Sequence, residues 1–209
     1  MSPEPSPSDE SLALSALSGS SVCFEALVQR YQVRVLRYVA RSLSTHDAED
    51  IAQDTFVRAY VNLAKFNPRY RFKTWLFVIA QRLTTDRLRK RKSTDAITER
   101  ASTSPSTSPA LSPSLVSAII ERERAERVWH TVRDTLGDDA MRAVWLFYVE
   151  EASTRDIALV LGRSWVWVKT TLHRSRKKLA GALASEVSVR DGASPRAQNV
   201  TIELSEALR

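Results

Sequence analysis

From Ser93 to Ser117 the chain runs through Ser, Thr, Ala and Pro, with Pro105, Pro109 and Pro113 and almost no large apolar side chain before Leu111 and Leu115. A stretch of that kind buries too little surface to offset the entropy of ordering it. It therefore splits the 209-residue chain into two modules, 22–92 and 118–184, and residues 93–117 read as a flexible linker. Large apolar residues thin out again after Ala184, through Gly192 and Pro195, so 185–209 reads as a C-terminal tail whose Val200–Leu208 would order only on a partner. At the other end, residues 1–21 carry the acids Glu4, Asp9 and Glu10 and no Lys or Arg, the opposite of a secretion signal. They are expected to form a disordered tail.

Five glycines and no run of 18 apolar residues leave neither a membrane span nor a glycine-rich phosphate loop. Cys23 is the single cysteine, which excludes an intrachain disulfide and a multi-cysteine metal site and suits a reducing, cytoplasmic compartment.

Both modules read as helices. Phe24, Leu27, Val28, Tyr31, Val35, Leu36, Val39 and Leu43 recur at three- and four-residue steps, the spacing of one helical stripe. Ser44 or Thr45 can cap a second helix with Ile51, Ala52, Phe56, Ala59, Tyr60, Leu63 and Phe66 on one face, ending at Asn67-Pro68. Phe72, Trp75, Leu76, Ile79, Ala80 and Leu83 make a third stripe, and three such helices can share a core. In the second module Val116, Ile119, Ile120, Val128, Val132 and Leu136 form a lead-in helix, followed by one capped at Asp138 or Asp139 with Met141, Val144, Trp145 and Tyr148. Ser153 or Thr154 then caps a short helix through Ile157, Ala158 and Leu161. Gly162 permits a tight turn, and Ser164 caps a longer helix with Trp165, Val168, Leu172 and Leu179 inward. The expected fold is all-α: two small helical domains joined by a flexible linker, the C-terminal one a helix-turn-helix.

The net charge of +7 is unevenly spread. Between Arg58 and Lys92 lie Lys65, Arg69, Arg71, Lys73, Arg82, Arg87, Arg89, Lys90 and Arg91 against a single acid, Asp86; from Arg163 to Lys178 there is no acid at all. Two separated cationic blocks suggest two contacts with a polyanion, since each cation near a phosphate releases condensed counterions. The last helix turns Trp167, Lys169, Thr170, His173, Arg174, Arg176 and Lys177 outward, side chains suited to a DNA groove and its phosphates.

Asp47, Glu49, Asp50 and Asp54 open the second helix, with Asp47, Asp50 and Asp54 on one face beside Gln53. Acids there complement the helix dipole. They can also hold Mg²⁺ for phosphoryl chemistry, or accept hydrogen bonds from a partner's arginines; the residues alone leave the three open, although no accompanying Lys, His or second acidic cluster stands where a nuclease needs one.

Asp47-Ala48-Glu49-Asp50-Ile51-Ala52-Gln53-Asp54-Thr55-Phe56, then Phe72-Lys73-Thr74-Trp75-Leu76 with Ile79-Ala80, then Asp86-Arg87-Leu88-Arg89, resemble the second conserved region of an extracytoplasmic-function (ECF) sigma factor of bacterial RNA polymerase. Asp156-Ile157-Ala158, Leu161-Gly162-Arg163-Ser164, Val168-Lys169 and His173-Arg174-Ser175-Arg176 resemble the fourth. The likeness covers roughly Phe24 to Lys92 and Glu121 to Leu183, in the family's order.

The resemblance implies a promoter-specificity subunit rather than an enzyme, with no catalytic residue, metal or cofactor of its own. Asp47, Asp50, Gln53 and Asp54 would dock on the clamp helices of the polymerase's largest subunit, with a further contact to the flap of the second-largest. Phe66, Tyr70, Phe72, Lys73 and Trp75 would engage the opening minus-10 element, with Arg82 and Arg87 on phosphates. Replacing lost base stacking by a ring is worth about 1–3 kcal/mol per base. Phe72 and Trp75 also fit the core stripe, so one is expected to be buried. Lys169, Thr170 and His173 would meet minus-35 base edges, Arg174 and Arg176 phosphates, with Trp167 and Lys177 beside them. An anti-sigma factor is implied as partner, and location is cytoplasmic, on the nucleoid when in holoenzyme. The chain departs from the family at Arg82, where Asn is common, at Gly137, where Pro is usual, and at Trp167, where Thr is common. The alternative is a stand-alone helix-turn-helix regulator with an N-terminal sensor or dimerisation bundle.

Overall fold

A computed structural model of the chain describes residues 7–95, 129 and 132–190. Every regular element among them is helical: α1 (Asp9–Leu17), α2 (Ser21–Val39), α3 (Thr45–Val61), a 3-10 turn (Leu63–Lys65), α4 (Phe72–Asp95), α5 (Asp138–Tyr148), α6 (Thr154–Leu161) and α7 (Trp165–Arg190). Two compact units divide the chain: one takes in the described residues up to 95 together with Trp145–Trp165, the other those from 129 to Val144 and from Val166 onward. Most of the expected linker and all of the tail from 191 on lie outside the described residues.

The first unit is built on the three predicted stripes. Phe24, Leu27, Tyr31, Val35, Tyr38 and Val39 of α2 are buried, as are Ala48, Ile51, Ala52 and Ala59 of α3. Small residues on α3 let it approach its neighbours α2 and α4 closely. Ser44 caps α3, its hydroxyl accepting the Asp47 N–H at 3.4 Å. The Tyr38 hydroxyl donates to Gln81 Oε1 at 2.6 Å, so the bundle's buried polar pair is mutually satisfied.

Two expectations about this unit change. Residues 1–21 do not all form a disordered tail, because Asp9–Leu17 is helical and buries Leu12, Ala13 and Ala16 against α2. Ser8 caps it, its hydroxyl accepting the Ser11 N–H at 3.1 Å, while Asp9 and Glu10 complement the dipole in the first turn. Gly19, at φ 106°, ends the segment in a conformation that side chains disfavour. Residues 1–6 lie outside the described residues. The second predicted helix is also shorter than its pattern: α3 stops at Val61, and Leu63–Lys65 forms a separate tight turn. Asn62 caps that break, its side chain donating to the Arg58 carbonyl at 2.9 Å. Leu63 and Phe66 are still buried, whereas Tyr60 is exposed along one edge and meets the Phe24 ring edge-on at 5.0 Å.

α6 lies against α4 within the first unit. Ser153 caps it, accepting the Asp156 N–H at 3.1 Å, and Ile157 and Val160 face inward. It ends in the left-handed Gly162 (φ 61°, ψ 34°), with the Gly162 N–H donating to the Leu159 carbonyl and the Arg163 N–H to the Ala158 carbonyl, the paired bonds of a glycine-terminated helix. In the second unit Val132, Leu136, Met141 and Val144 are buried, and α7 buries Val168, Leu172 and Ser175 on one stripe.

Candidate nucleic-acid interface and acidic docking face

The acidic face of α3 is held by a cation from α4. Arg87 donates to Asp47 Oδ1 at 2.8 Å and lies 3.7 Å from Asp50 Oδ2, while His46 Nδ1 is 3.9 Å from the other Asp50 oxygen. Gln53 and Asp54 are exposed. Arg87, expected among the minus-10 phosphate contacts, lies beside Asp47 and Asp50 on this face. One guanidinium thus ties two carboxylates of α3 to α4, by a charge-assisted hydrogen bond to Asp47 and a longer ion pair to Asp50.

The aromatic stretch divides into support and surface. Phe66 and Phe72 are buried, and with Trp75 they form a mutual cluster with ring centroids 5.4–5.7 Å apart. A ring with no exposed face has none to offer a base, so stacking by Phe66 and Phe72 gives way to a supporting role; their apolar area fills the core between the 3-10 turn and α4. Tyr70 stands 58% exposed, and Trp75 is half-buried. Arg82 is exposed further along α4.

The loop that carries Tyr70 is tightly held. The Arg69 N–H donates to Asn67 Oδ1 at 3.0 Å, the Tyr70 N–H to the Asn67 carbonyl at 3.0 Å, and the Phe72 N–H to Glu10 Oε1 at 3.1 Å. Asp9 accepts hydrogen bonds from Arg30 and from the Tyr31 hydroxyl, and the Tyr31 ring lies 6.1 Å from that of Phe72. Burial first, then the bond to Asp9, pushes the Tyr31 phenol well up from its ordinary value. Between α1 and this loop opens a cleft of about 740 Å³, lined by Arg30, Arg69, Tyr70, Arg71 and Lys73 among others.

Lys73 donates to the Glu150 backbone carbonyl. Burial, followed by repulsion from Arg34, pulls its ammonium down from the ordinary lysine value, with Glu150 opposing. The Glu150 side chain is almost wholly buried and accepts from Arg34 through two guanidinium nitrogens at 2.7 and 3.0 Å. The next residue, Glu151, has a positive φ of 49°. Thr74 donates to Asp156 Oδ1 at 3.0 Å, joining α4 to α6. Arg34, Glu150, Thr74 and Asp156 escape sequence reading because nothing in their spacing links positions 77 to 116 residues apart.

On α7, Lys169, Thr170, His173, Arg174 and Lys177 are exposed on the side opposite Val168, Leu172 and Ser175; Arg176 is half-buried. The two tryptophans exchange the environments the sequence suggests. Trp165 is 46% exposed, because at the first position of α7 its ring turns back and its indole N–H donates to Thr154 Oγ1 at 2.9 Å. Trp167 is half-buried. Among the described residues no helix is long and apolar enough to cross a membrane.

Known proteins resemble this chain in sequence and fold. The family described as Sigma-70 region 2 matches residues 27–94, which span α2 to α4. The ECF RNA polymerase sigma factor SigW of Bacillus subtilis (strain 168) is 33% identical over 167 residues, covering 77% of this chain and 89% of that one. Among solved structures, CnrH in complex with the cytosolic domain of CnrY is similar at a TM-score of 0.62 and 27% identity, over 86% of this chain and 99% of that chain. The sigma factor RpoE of Bartonella quintana, in complex with the anti-sigma factor NepR, shares the fold at a TM-score of 0.63 and 22% identity, over 77% of this chain and 96% of that chain. These relatives favour promoter recognition over a stand-alone regulator. With the bundle, the acidic face and the exposed cations all in place, the chain belongs to the ECF sigma factors of RNA polymerase.

Proposed function

We propose that this chain binds core RNA polymerase through Asp47, Asp50, Gln53 and Asp54 and directs it to promoters through two cationic faces. On the first, Tyr70 and Trp75 receive unstacked minus-10 bases while Lys73 and Arg82 meet phosphates, with Phe66 and Phe72 as the floor beneath. On the second, Lys169, Thr170 and His173 read minus-35 base edges in the major groove, and Arg174, Arg176 and Lys177 hold the backbone. Trp167 supports that helix from its half-buried position.

The observation that supports this reading is the separation of charge in one bundle: a row of carboxylates along α3, Asp47 and Asp50 half-buried and Glu49 and Asp54 exposed, and cations with an exposed aromatic ring at the start of α4. An acidic surface repels DNA and attracts a basic protein face; a cationic and aromatic one does the reverse. The cationic faces at the start of α4 and on α7 act as separate promoter contacts. About 25 linker residues span at most about 85 Å, and tethering raises the effective concentration of the second contact once the first is made. Bond formation belongs to the polymerase, so the chain needs no catalytic group, and it works in the cytoplasm. Solved relatives are complexes with CnrY and with the anti-sigma factor NepR, which supports an anti-sigma partner that covers these faces.

Purified chain added to core polymerase and a promoter library should yield initiated transcripts. Asp50→Ala combined with Gln53→Ala should lower core affinity about tenfold or more. Unchanged association, measured by fluorescence anisotropy, would overturn the docking assignment.

A further inference from the structure

We infer that α1, through Glu10, is a positioning element for the minus-10 loop. This rests on the reading of residues 66–75 as the minus-10 contact. α4 begins at Phe72, and the first N–H groups of any helix have no partner within it. The Phe72 N–H donates to the Glu10 carboxylate, 62 residues earlier in the chain. A charged acceptor at that place satisfies an orphan donor and complements the helix dipole together.

Its effect reaches the loop because the bond to Glu10 anchors the loop's exit, as Asn67 anchors its entry. Asn67 secures the entry by accepting the Arg69 and Tyr70 N–H groups, and Phe72 closes the exit. α1 grips that exit twice. Glu10 holds the Phe72 backbone, while Asp9 holds the Tyr31 hydroxyl, and the Tyr31 ring packs near the fully buried Phe72 ring. Tyr70 and Lys73, two and one residues from this point, project from a backbone whose direction α1 sets. Glu10 touches no base in this role; it acts through Phe72.

The test uses holoenzyme assembled from core polymerase and the full chain. The probe is a labelled non-template strand spanning the minus-10 element of a promoter recovered in the transcription experiment. Glu10→Ala should weaken strand binding about fivefold, the loss of one capping interaction, while Glu10→Gln, which keeps the acceptor, should stay within about twofold. Core affinity and minus-35 duplex binding should be the same in all three proteins. Equal binding by Glu10→Ala, tighter binding by both variants, or a matching fall in core affinity would each overturn the inference. The first shows no positioning, the second a carboxylate that merely repels DNA, and the third a general loss of structure. Should the unsubstituted holoenzyme itself fail to retain the strand, the minus-10 assignment falls, and this inference falls with it.

Discussion

The two cationic faces are made in opposite ways. That on α7 is the bare outer side of one helix: Val168, Leu172 and Ser175 turn inward, and the polar residues between them turn out. That at the start of α4 is assembled from distant pieces, with Glu10, Tyr31, Arg34 and Glu150 all touching Phe72 or Lys73 or their immediate supports. The first face follows from helical period alone. The second depends on folding, so damage to packing should reach it while leaving the other untouched.

The strongest way to break that contrast is Phe72→Ala. The ring is fully buried in the aromatic cluster, so its loss should cost about 3–5 kcal/mol of first-unit stability and abolish minus-10 strand binding together. A melting curve matching the parent would show that the cluster is not the support described. Arg174→Ala should instead leave stability within about 0.5 kcal/mol and weaken minus-35 duplex binding across sequences. The slope of log affinity against log salt should shrink by about 1 if the guanidinium meets a phosphate; an unchanged slope rules that contact out.

Glu150→Ala is a milder probe. Its buried carboxylate leaves Arg34 without that partner, but Arg34 is partly open to water and can be resolvated, so a loss of about 1 kcal/mol is expected by chemical denaturation. A gain in stability would mean that burying the carboxylate costs more than the pair returns. Smallest near neutrality is Tyr31→Phe, whose consequence depends on pH. The folded phenol titrates above its ordinary value of 10.0, so as pH rises past that value the unfolded chain loses its proton first and stability falls. Removing the hydroxyl should flatten that alkaline decline, seen by comparing denaturation midpoints at about pH 9 and about pH 11. Equal slopes in variant and parent would place the decline elsewhere.

How much was legible in the sequence follows the same contrast. The stripes of α2 and α4, the Ser44 and Ser153 caps and the Gly162 stop are local signals that appear where the spacing puts them, and the α3 stripe does so up to Val61 apart from the exposed Tyr60. α1 was missed because its buried face is mostly alanine: Leu12, Ala13 and Ala16 carry a weak apolar signal among serines, and the helix is secured by packing on α2. The pairing of Arg87 with Asp47 was not legible because a basic run gives no sign of an acidic neighbour 40 residues away on another helix. Of the aromatic stretch, the burial of one of Phe72 and Trp75 was legible from the core stripe and falls on Phe72, whereas the burial of Phe66 beside an exposed Tyr70 was not, because aromatic residues suit both environments. Trp165 left its stripe because the first position of a helix has an open side, and a hydroxyl lay within reach of its indole.

Gly162 carries a consequence for how this chain tolerates change. A methyl group built there would meet nothing within 4 Å, so crowding does not forbid a larger residue. Its backbone torsion does: left-handed geometry costs an ordinary L-residue roughly 1–2 kcal/mol, least for asparagine and aspartate and most for β-branched side chains. A substitution survey that ranks sites by available volume would pass over this elbow. One that ranks them by torsion would single it out, with valine and isoleucine the worst replacements in a place with room to spare.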